Sequence, residues 1–384
     1  MSGAFGFIMP KENLFGVDTS AQVGKKAKEW GAKKALIICG SSILKTGYVE
    51  RIIGYLKEEE IDTVLYSNVS PNPTDSNVAE GVSLLQQAAC DLVVAIGGGS
   101  SLDCAKAIAL VAANGGTVYD YEGIDKSTKE MVPLITINTT AGTASEMTRI
   151  SVITNTKEAR KMIIVDKNIT PKLTINDPAL MVSLSPEFTA GTGMDALTHA
   201  IEAYVSTLSN PITDANAFQA IRLIGQYLPQ AVKDGENIEA RTQMACAQFL
   251  AGMAFNNALL GNAHALAHPL GSIYDLPHGL CNAILLPYVM NYNLQTKPDK
   301  FRNIALALGV NVAGVTVEEA AELSVKAVRE LAKQIGIPER LSAIGVKEED
   351  LPKLAEMASK DPCALFNPRP SKYEDLLELL KTAY

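Results

Sequence analysis

The residue pattern changes near residue 185, and this change limits the folds open to the chain more than any other feature. In the first half, short apolar and β-branched runs alternate with amphipathic stretches of helical spacing. Such alternation is typical of a parallel sheet covered by helices. Beyond residue 185, long segments rich in Ala and Leu continue to the C-terminus. We therefore predict an α/β domain over residues 1–184 and an all-helical domain over residues 185–384.

Six apolar runs of the first half are predicted to be strands, at residues 35–39, 63–67, 92–97, 132–138, 162–166 and 172–177. Amphipathic stretches near residues 48–60 and 76–89 are predicted to be helices. At the start of the second half, Ser185 is a suitable N-cap, Pro186 suits a first helical turn, and Glu187 favours the positive helix end. These three residues mark the predicted domain boundary.

Composition and charge exclude several classes of function. The chain has 384 residues, enough for two domains, and 47% of them are hydrophobic, which is an ordinary globular balance. The net charge is −8, and no run of Lys or Arg could neutralise the phosphates of a nucleic acid. No stretch approaches the roughly 18 apolar residues that span a bilayer, and the first residues do not resemble a signal peptide. We therefore expect a cytoplasmic protein with neither nucleic acid nor membrane partners.

A glycine-rich turn follows the third predicted strand. Gly97, Gly98 and Gly99 precede Ser100 and a helical run that includes Asp103. Glycines at a strand-to-helix turn let the backbone approach a ligand, and the helix N-terminus offers unpaired N–H groups to a pyrophosphate. The spacing is not the GxGxxG fingerprint, so a tight turn without a ligand is an alternative.

A second candidate nucleotide-binding segment is Thr139–Glu146, which follows another predicted strand and is dense in small hydroxyl residues. Its hydroxyls and amides are suited to contact phosphate, ribose or nicotinamide. A polar loop that caps a helix at Ser145 is an equal alternative. The segment Pro71–Thr74, which contains Asn72, is by itself only a turn signal.

The chain has only four histidines, and all lie in the predicted helical domain. Asp195 and His199 are four residues apart in a helix predicted over residues 191–205. Both side chains therefore leave one face of the helix and are able to hold one cation. His264 and His268 repeat this spacing further along the chain. The concentration of histidines favours a metal site over hydrogen-bonded core histidines, which would be the usual explanation for a single one.

His278 lies in a predicted turn, whose Pro277 and Gly279 can fix the backbone. The five candidate side chains exceed the four positions of a tetrahedral site, so one histidine is spare. His268 is the best candidate for that residue, as a proton relay near the metal. A mixed carboxylate and imidazole set suits Fe²⁺ or Zn²⁺ before Mg²⁺, with Mn²⁺, Co²⁺ and Ni²⁺ also open.

Taken in order along the chain, these segments resemble the iron-containing (group III) alcohol dehydrogenases, especially the branch with lactaldehyde reductase, 1,3-propanediol dehydrogenase and bacillary methanol dehydrogenase. The similarity covers essentially the whole chain and includes Gly193–Tyr204 and Asn367–Arg369. The spacing of His264, His268 and His278 is its most specific part. The resemblance implies an N-terminal α/β nucleotide-binding domain, an all-helical metal-binding domain, and an active site in the cleft between them.

The resemblance also implies roles for individual residues. It implies that the metal ligands are Asp195, His199, His264 and His278. It places His268 beside the nicotinamide and substrate, and Phe255 in the substrate pocket. The implied cofactor-binding residues are Gly40, Ser41, Asn72, Gly97, Gly98, Gly99, Ser100, Asp103, Thr139, Thr140, Thr143, Lys161 and Leu180. For Lys161 and Leu180, packing or a solvated surface is an equal explanation.

Two residues depart from the family pattern. Family members that prefer NAD commonly carry an Asp after the first strand, whose carboxylate accepts from the ribose hydroxyls and repels a 2′-phosphate. Here Gly40 takes that place, and Ser41 and Ser42 are able to hydrogen-bond a phosphate. We therefore predict that NADP(H) is accepted as well as NAD(H). Ala144 stands where the motif usually has Gly, and the sequence does not indicate the direction of its effect.

The expected reaction is reversible hydride transfer between a small primary alcohol and nicotinamide, with the alcohol oxygen bound by a divalent metal. Apolar residues such as Phe255 and Leu266 near the metal helices favour a small uncharged substrate.

The rival functions are a polyol dehydrogenase of the neighbouring glycerol dehydrogenase branch and a lyase like dehydroquinate synthase. A metallohydrolase is a weaker alternative, because the glutamate that follows the first histidine of an HExxH motif is missing after His264. By resemblance, we also expect a homodimer or a larger homo-oligomer.

Overall fold

The structure, a computed structural model, describes residues 4–158 and 160–384. Within them the chain divides into two compact units. One unit consists of residues 8–140 and 144–183 and contains all the described strands. The other consists of residues 4–7, 141–143 and 184–384 and is helical. The short segment 141–143 thus groups with the helical unit, although the chain on both sides of it belongs to the strand-containing unit.

The strand-containing unit alternates strands and helices along most of its length. Its strands are β1 (Glu12–Phe15), β2 (Lys34–Gly40), β3 (Asp62–Val69), β4 (Leu92–Gly97), β5 (Gly123–Ile124), β6 (Leu134–Asn138), β7 (Ile150–Asn155), β8 (Arg160–Val165) and β9 (Leu173–Asn176). Its helices are α1 (Val23–Glu29), α2 (Ser41–Leu44), α3 (Tyr48–Glu58), α4 (Asp75–Gln87) and α5 (Gly99–Asn114).

Six strands form a parallel sheet in the order β1-β9-β6-β4-β2-β3. Alternate residues of β4 belong to different core clusters: Val93 to one, Val94 to the other. Both faces of this strand are therefore buried, which explains why it is apolar along its whole length. Gly97 at the end of β4 pairs with Asn138 at the end of β6, so the segments that follow these two strands leave the same edge of the sheet. The predicted parallel α/β fold of this unit is confirmed.

The second sheet was not predicted from the sequence. The predicted strand at residues 172–177 lies in the main sheet as β9, but the one at residues 162–166 lies in a three-stranded sheet of order β5-β8-β7. There β8 pairs with β7 in antiparallel fashion, Ile150 opposite Val165. The short connection between these strands explains the antiparallel pairing, since a parallel pair needs a long crossover.

The second unit is helical from residue 186 onward. Its helices are α6 (Pro186–Val205), α7 (Pro211–Lys233), α8 (Ile238–Ala258), α9 (Asn262–Tyr274), α10 (His278–Asn293), α11 (Pro298–Ala307), α12 (Val317–Gln334), α13 (Leu351–Ser359) and α14 (Tyr373–Ala383). Ser185 caps α6 as predicted, because its side chain accepts from the backbone N–H of Phe188 at 3.2 Å. The helix therefore begins at Pro186 rather than at residue 191. No helix in the described part of the chain is long and apolar enough to cross a membrane.

Glycines on α6 and α10 let helices of this unit approach closely. A Cβ atom at Gly193 would lie 2.2 Å from Cδ1 of Leu228 on α7. A Cβ atom at Gly279, near the start of α10, would lie 2.3 Å from the carbonyl oxygen of Gly191 on α6. Real Cβ atoms cannot approach so closely. A larger residue at Gly193 would have to displace the Leu228 side chain, and one at Gly279 would push the backbone of α10 away from that of α6. The contact at Gly279 places the first turn of α10 against the second turn of α6.

Candidate metal centre and nucleotide-binding segments

Three helices of the helical unit carry the predicted metal ligands. Asp195 and His199 lie one turn apart on α6 and are 2% and 5% exposed. His264 lies in the first turn of α9 and is 1% exposed. His278 is the first residue of α10, which begins directly after Pro277. The prediction of a turn at His278 is therefore wrong. The side chain of His278 is 40% exposed, so three of the four predicted ligands are buried and His278 is partly open to solvent.

The structure brings these four side chains together. The candidate ligand atoms of Asp195, His199 and His264 lie within 4.8 Å of one another. Oδ1 of Asp195 is 3.7 Å from Nε2 of His264 and 3.6 Å from Nε2 of His278. The ring centroid of His264 is 4.6 Å from that of His199 and 5.3 Å from that of His278. Three side chains thus form a tight set, and His278 adjoins it through Asp195.

Two ring nitrogens show what this cluster is suited to hold. Nδ1 of His199 and Nε2 of His264 are buried and have no hydrogen-bond partner among the described residues. A buried polar atom left without a partner costs about 1–3 kcal/mol. A cation held beside Asp195 would give Nε2 of His264 a partner, and a carboxylate with imidazoles is a ligand set that suits a borderline divalent metal. The residues present therefore fit a divalent cation.

Burial and charge shift the pKa values of this cluster in opposite directions. Burial raises the pKa of Asp195, but the imidazoles of His199, His278 and His264 outweigh burial and hold it below its usual value. Burial lowers the pKa of His199 to about 4, so its ring is neutral at pH 7. Burial also lowers the pKa of His264, but the neighbouring carboxylates of Asp195 and Glu202 raise it to about 9. A metal would therefore displace a proton at His264.

Glu202, on α6, supports His264 from outside the cluster. Its Oε2 accepts from Nδ1–H of His264 at 2.7 Å and from the backbone N–H of Gly261 at 3.0 Å. Its Oε1 accepts from the backbone N–H of Ala263 at 2.6 Å. A carboxylate behind a ligating histidine fixes the tautomer and directs the other ring nitrogen toward the metal. In this structure, that other nitrogen is the unpartnered Nε2.

An amide on α10 connects two of the predicted ligands. Nδ2 of Asn282 donates to Oδ1 of Asp195 at 2.8 Å and lies 3.1 Å from Nε2 of His278. Asn282 is fully buried and follows His278 by one helical turn. Its side chain therefore helps to hold Asp195 and His278 side by side.

Sequence reasoning missed Glu202 and Asn282, although each has a signal. Glu202 continues the series of Asp195 and His199 along one face of α6, seven residues after the first and three after the second. Asn282 follows His278 by four residues, which is the spacing of neighbours on a helix surface. Polar residues at helical spacing from each predicted ligand would have pointed to both.

His268 and Phe255 lie beside the cluster. Nδ1 of His268 is 2.7 Å from Oδ2 of Asp361. The His268 ring stacks on that of His278, with centroids 5.5 Å apart and an angle of 13° between the planes. The Phe255 ring stacks on that of His199 at 4.3 Å. The cluster thus has a polar neighbour at His278 and an apolar neighbour at His199.

In the strand-containing unit, the glycine turn and the threonine segment meet at adjacent strand ends. Gly97 has φ +146°, which favours glycine, and a Cβ atom there would lie 2.7 Å from Oγ of Ser101. Gly98 is the N-cap of α5, whose first residue is Gly99. A Cβ atom at Gly98 would lie 2.9 Å from Cγ2 of Thr140. A side chain at Gly98 would have to displace that of Thr140, and the helix N-terminus beside it is suited to a phosphate.

Three other predicted cofactor-binding residues gather in the same unit. Nζ of Lys161 donates to Oδ1 of Asn72 at 2.6 Å. The hydroxyl of Ser100 donates to the carbonyl of Pro71, which directly precedes Asn72. The turn Pro71–Thr74, which is a weak signal by sequence alone, therefore adjoins the glycine turn.

Some of the predicted cofactor-binding residues have contacts within the protein that explain them without a bound cofactor. The carboxylate of Asp103 accepts from Oγ of Ser145 at 2.5 Å and from the backbone N–H of Val152 at 3.0 Å. Leu180 is 1% exposed and belongs to a core cluster, so the packing alternative explains it. Ser145 begins a turn and not a helix, so the alternative of a capped helix at this residue is wrong.

The remaining predicted residues divide between the two units. Gly40 ends β2 and is the N-cap of α2, and the side chain of Ser41, the first residue of α2, is exposed. Thr139 and Thr140 belong to the strand-containing unit, whereas Thr143 belongs to the helical unit. The threonine-rich segment is therefore shared by both units.

Comparison with known proteins assigns this arrangement to a family. The family described as iron-containing alcohol dehydrogenase matches residues 10–178, and the C-terminal part of the Fe-containing alcohol dehydrogenase family matches residues 189–384. The chain belongs to the iron-containing alcohol dehydrogenase family. This alcohol dehydrogenase is 47% identical over 382 residues to the 1,3-propanediol dehydrogenase of Citrobacter freundii, which covers 99% of both chains. It is 45% identical to the NAD-dependent methanol dehydrogenase of Bacillus methanolicus, over 98% of this chain and 99% of the relative.

A solved structure of a 1,3-propanediol oxidoreductase matches this alcohol dehydrogenase with a TM-score of 0.98 and 46% identity, over 100% of both chains. The predicted family and the predicted fold class, an α/β domain followed by an all-helical domain, are confirmed. The protein is an alcohol dehydrogenase of the oxidoreductase class, and its family implies a divalent metal and a nicotinamide cofactor. The lyase alternative is not favoured.

Proposed function

We propose that this alcohol dehydrogenase interconverts small primary alcohols and aldehydes at a divalent cation held by Asp195, His199, His264 and His278. The observation that carries this proposal is the convergence of a buried carboxylate with imidazoles, two nitrogens of which have no partner among the described residues. The relatives named for 1,3-propanediol and methanol support a small alcohol. The ring of Phe255 on His199 supports an apolar contact for the carbon chain of the substrate.

When bound, the metal supplies Lewis-acid polarisation of the substrate oxygen, and the nicotinamide accepts or donates the hydride. Asp195 supplies the negative charge of the site, and Glu202 holds the ring of His264 in the orientation that leaves Nε2 unpaired. Phe255 keeps water from the face of His199 that it covers. His268 takes a proton in alcohol oxidation and returns it in aldehyde reduction.

The nucleotide is proposed to bind the α/β domain predicted over residues 1–184, and the metal and substrate are proposed to bind the helical domain predicted over residues 185–384. The glycine turn at Gly97–Gly99 and the hydroxyl of Thr140 support a pyrophosphate site, because they lie together at the N-terminus of α5. The neighbouring residues Ser100, Asn72 and Lys161 would extend it.

We propose Fe²⁺ as the native metal, with Zn²⁺ as the alternative, because both suit a carboxylate and imidazole set.

NADP(H) is proposed to be accepted beside NAD(H), since Gly40 places no carboxylate after β2 and the side chains of Ser41 and Ser42 are exposed. Comparison of kcat/KM for NADH and NADPH tests this proposal. A preference for NADH of about a hundredfold or more, equal to about 2.7 kcal/mol, would refute it. A cytoplasmic homo-oligomer is likewise proposed.

The proposed metal site is tested with two histidine variants. His264→Ala should lose bound metal and alcohol oxidation together, because it removes a ligand. His268→Ala should keep the metal but turn over more slowly, because it removes only the proton relay. Metal analysis of both purified proteins, alongside kcat, separates the two roles. Retention of metal and full activity in His264→Ala would eliminate the proposed ligand set.

A further inference from the structure

The contact between His268 and Asp361 joins two distant parts of the helical unit. Nδ1 of His268, on α9, lies 2.7 Å from Oδ2 of Asp361, 93 residues further along the chain. The two side chains are 20% and 11% exposed. Neither residue belongs to the proposed metal ligands, yet the ring of His268 stacks on the ring of His278. The pair therefore lies directly beside the proposed site of chemistry.

Asp361 is anchored independently of His268. Its Oδ1 accepts from the backbone N–H of Cys363 at 2.9 Å, which caps the short helical turn Pro362–Phe366. The carboxylate thus has one oxygen for the backbone and the other for the histidine. Because the backbone contact holds the first oxygen, the second points at His268 in a fixed direction.

The segment after this turn is tied to the helices on either side of the site. Asn367 is 2% exposed, and its Oδ1 accepts from the backbone N–H of Asn262 at the start of α9, at 3.2 Å. Its Nδ2 donates to Oδ1 of Asn293 at the end of α10, at 2.8 Å. These bonds fix the position of the 361–367 segment relative to α9, which carries His268.

A fixed carboxylate at Nδ1 determines the form of the imidazole. An ionised carboxylate only accepts hydrogen bonds, so Nδ1 of His268 carries the hydrogen. In the neutral ring, Nε2 is then the nitrogen with a free lone pair. The stacked contact with His278, at 13° between the planes, holds the orientation of the same ring. A base oriented by a third group in this way is a recurring catalytic arrangement.

We propose that Asp361 is the positioning residue for His268: it holds the hydrogen on Nδ1 and leaves Nε2 to exchange a proton with the substrate oxygen. The inference rests on the proposed function. In alcohol oxidation, the O–H bond of the substrate breaks and its proton binds Nε2 of His268. A nicotinamide, when bound, would accept the hydride of the carbinol carbon, and the carbon–oxygen bond would become double. In aldehyde reduction, each transfer runs in reverse.

The test is Asp361→Asn in the metal-loaded enzyme. The asparagine keeps an oxygen for the N–H of Cys363 but presents an amide N–H to Nδ1, which favours the hydrogen on Nε2 instead. We expect kcat to fall at least about tenfold, because a positioned acid or base contributes about 10²- to 10⁴-fold and the variant impairs that residue without removing it. The bound metal and the KM for the alcohol should stay within about twofold. Unchanged kcat would overturn the proposal.

A double mutant separates positioning from a structural role. If Asp361 acts only through His268, then Asp361→Asn should slow His268→Ala little further, because the group that it positions is already gone. If the two effects on kcat multiply, Asp361 acts on the structure and the proposal is wrong. Asp361→Glu should recover part of the rate, since it restores a carboxylate; recovery no better than Asp361→Asn would count against the proposal.

A matched control uses a second carboxylate that contacts α9. Asp350 accepts from the hydroxyl of Tyr274 at the other end of that helix. Asp350→Asn makes the same chemical change without touching His268, and should leave kcat within about twofold. A similar fall in kcat for Asp350→Asn and Asp361→Asn would indicate a general disturbance of α9 and refute a specific role.

The tautomer itself can be observed in zinc-loaded protein labelled with [¹⁵N]histidine. Only four histidines are present, so the His268 signals are identified by their loss in His268→Ala. The wild type should show the hydrogen on Nδ1 and Asp361→Asn should show it on Nε2; the same tautomer in both would overturn the proposal. Absence of alcohol oxidation in the metal-loaded wild type would instead refute the proposed function, whatever the tautomer.

Discussion

Oε2 of Glu202 lies 2.7 Å from Nδ1 of His264, while Nε2 of the same ring is a buried atom without a partner among the described residues. One carboxylate thus satisfies the outer nitrogen of the ring and leaves the inner one for the cation. The same carboxylate accepts from the N–H groups of Gly261 and Ala263, just before His264. Glu202 therefore orders both the side chain and the backbone of the first turn of α9.

Replacement of Glu202 by Gln should weaken metal binding about 10- to 100-fold, because one N–H···carboxylate bond behind the ligand is lost. The change is isosteric, and an amide oxygen remains for one of the backbone N–H groups. Competition with a chromogenic chelator measures the affinity directly. Glu187→Gln, an exposed change in the first turn of the same helix, is the control and should leave the metal affinity unaltered. Equal affinity in the two variants would contradict the supporting role of Glu202.

Replacement of Gly40 by Asp should shift the enzyme toward NADH. A Cβ atom at Gly40 would lie 3.4 Å from the carbonyl oxygen of Val69 and 3.8 Å from Oγ of Ser101, which are ordinary contacts, and its φ is −85°. A Cβ atom therefore fits at this position, and the charge of an aspartate there would repel a 2′-phosphate. We expect kcat/KM for NADPH to fall at least about tenfold, equal to about 1.4 kcal/mol, with little loss for NADH.

Gly40→Asn is the matched control, since it adds the same volume without the charge. It should disturb both cofactors to a similar, smaller extent. If Asn lowers kcat/KM for NADPH as much as Asp does, the effect is steric and the electrostatic explanation fails.

The local part of the site was predictable from sequence, and the tertiary part was not. Asp195 and His199 were identified because helical spacing places them on one face whatever surrounds the helix. Pro277 and Gly279 are turn residues and predict a turn at His278. In the structure, however, Pro277 precedes the first turn of α10 and Gly279 allows the close contact with α6. In that case helix packing determined the role of the glycine.

Contacts between distant segments carry no local signal. Asp361 meets His268 across 93 residues, and nothing in the spacing of the two residues indicates this. The second sheet escaped prediction for a related reason. Strand β8 has the same apolar character as a strand of the main sheet, and only its partner β7 distinguishes it. The parallel sheet itself was predictable, because its strands are apolar along their length.

Ala144 has φ +51° and is fully buried, in a conformation that favours glycine. Ala144→Gly removes a strain of about 1–2 kcal/mol. It also loses a buried methyl group worth about 0.8 kcal/mol and adds about 0.5–1 kcal/mol of chain entropy to the unfolded state. These effects nearly cancel, so the free energy of unfolding should change by less than about 1 kcal/mol.

Ala144→Val tests the same argument in the opposite direction. A β-branched residue is poorly tolerated at positive φ, and its extra methyl groups overpack a filled site by about 1–3 kcal/mol. The variant should lose at least about 2 kcal/mol in urea unfolding, with Trp30 fluorescence as the probe, since Trp30 belongs to the same unit. If valine were tolerated as well as glycine, the backbone at residue 144 would not be strained.

Lys106 is fully buried in the strand-containing unit. Its Nζ donates to the carbonyl of Ser145 at 2.9 Å and to Oγ1 of Thr148 at 3.1 Å, and lies 3.0 Å from Oδ1 of Asp103. Burial lowers the pKa of Lys106, while the charge of Asp103 opposes the shift. The pair therefore fixes the end of the threonine-rich segment to α5.

Lys106→Met should destabilise the protein by about 3–5 kcal/mol, because the carboxylate of Asp103 and the carbonyl of Ser145 lose a buried cation. Adding Asp103→Asn to Lys106→Met removes the uncompensated charge. The double variant should therefore lose less free energy of unfolding than the two single variants lose together. Urea unfolding followed by the fluorescence of Trp30, the single tryptophan, measures all three. Lys45→Met, at an exposed position, is the control and should change stability by less than about 0.5 kcal/mol. Strictly additive losses at Lys106 and Asp103 would show that the two charges do not stabilise each other.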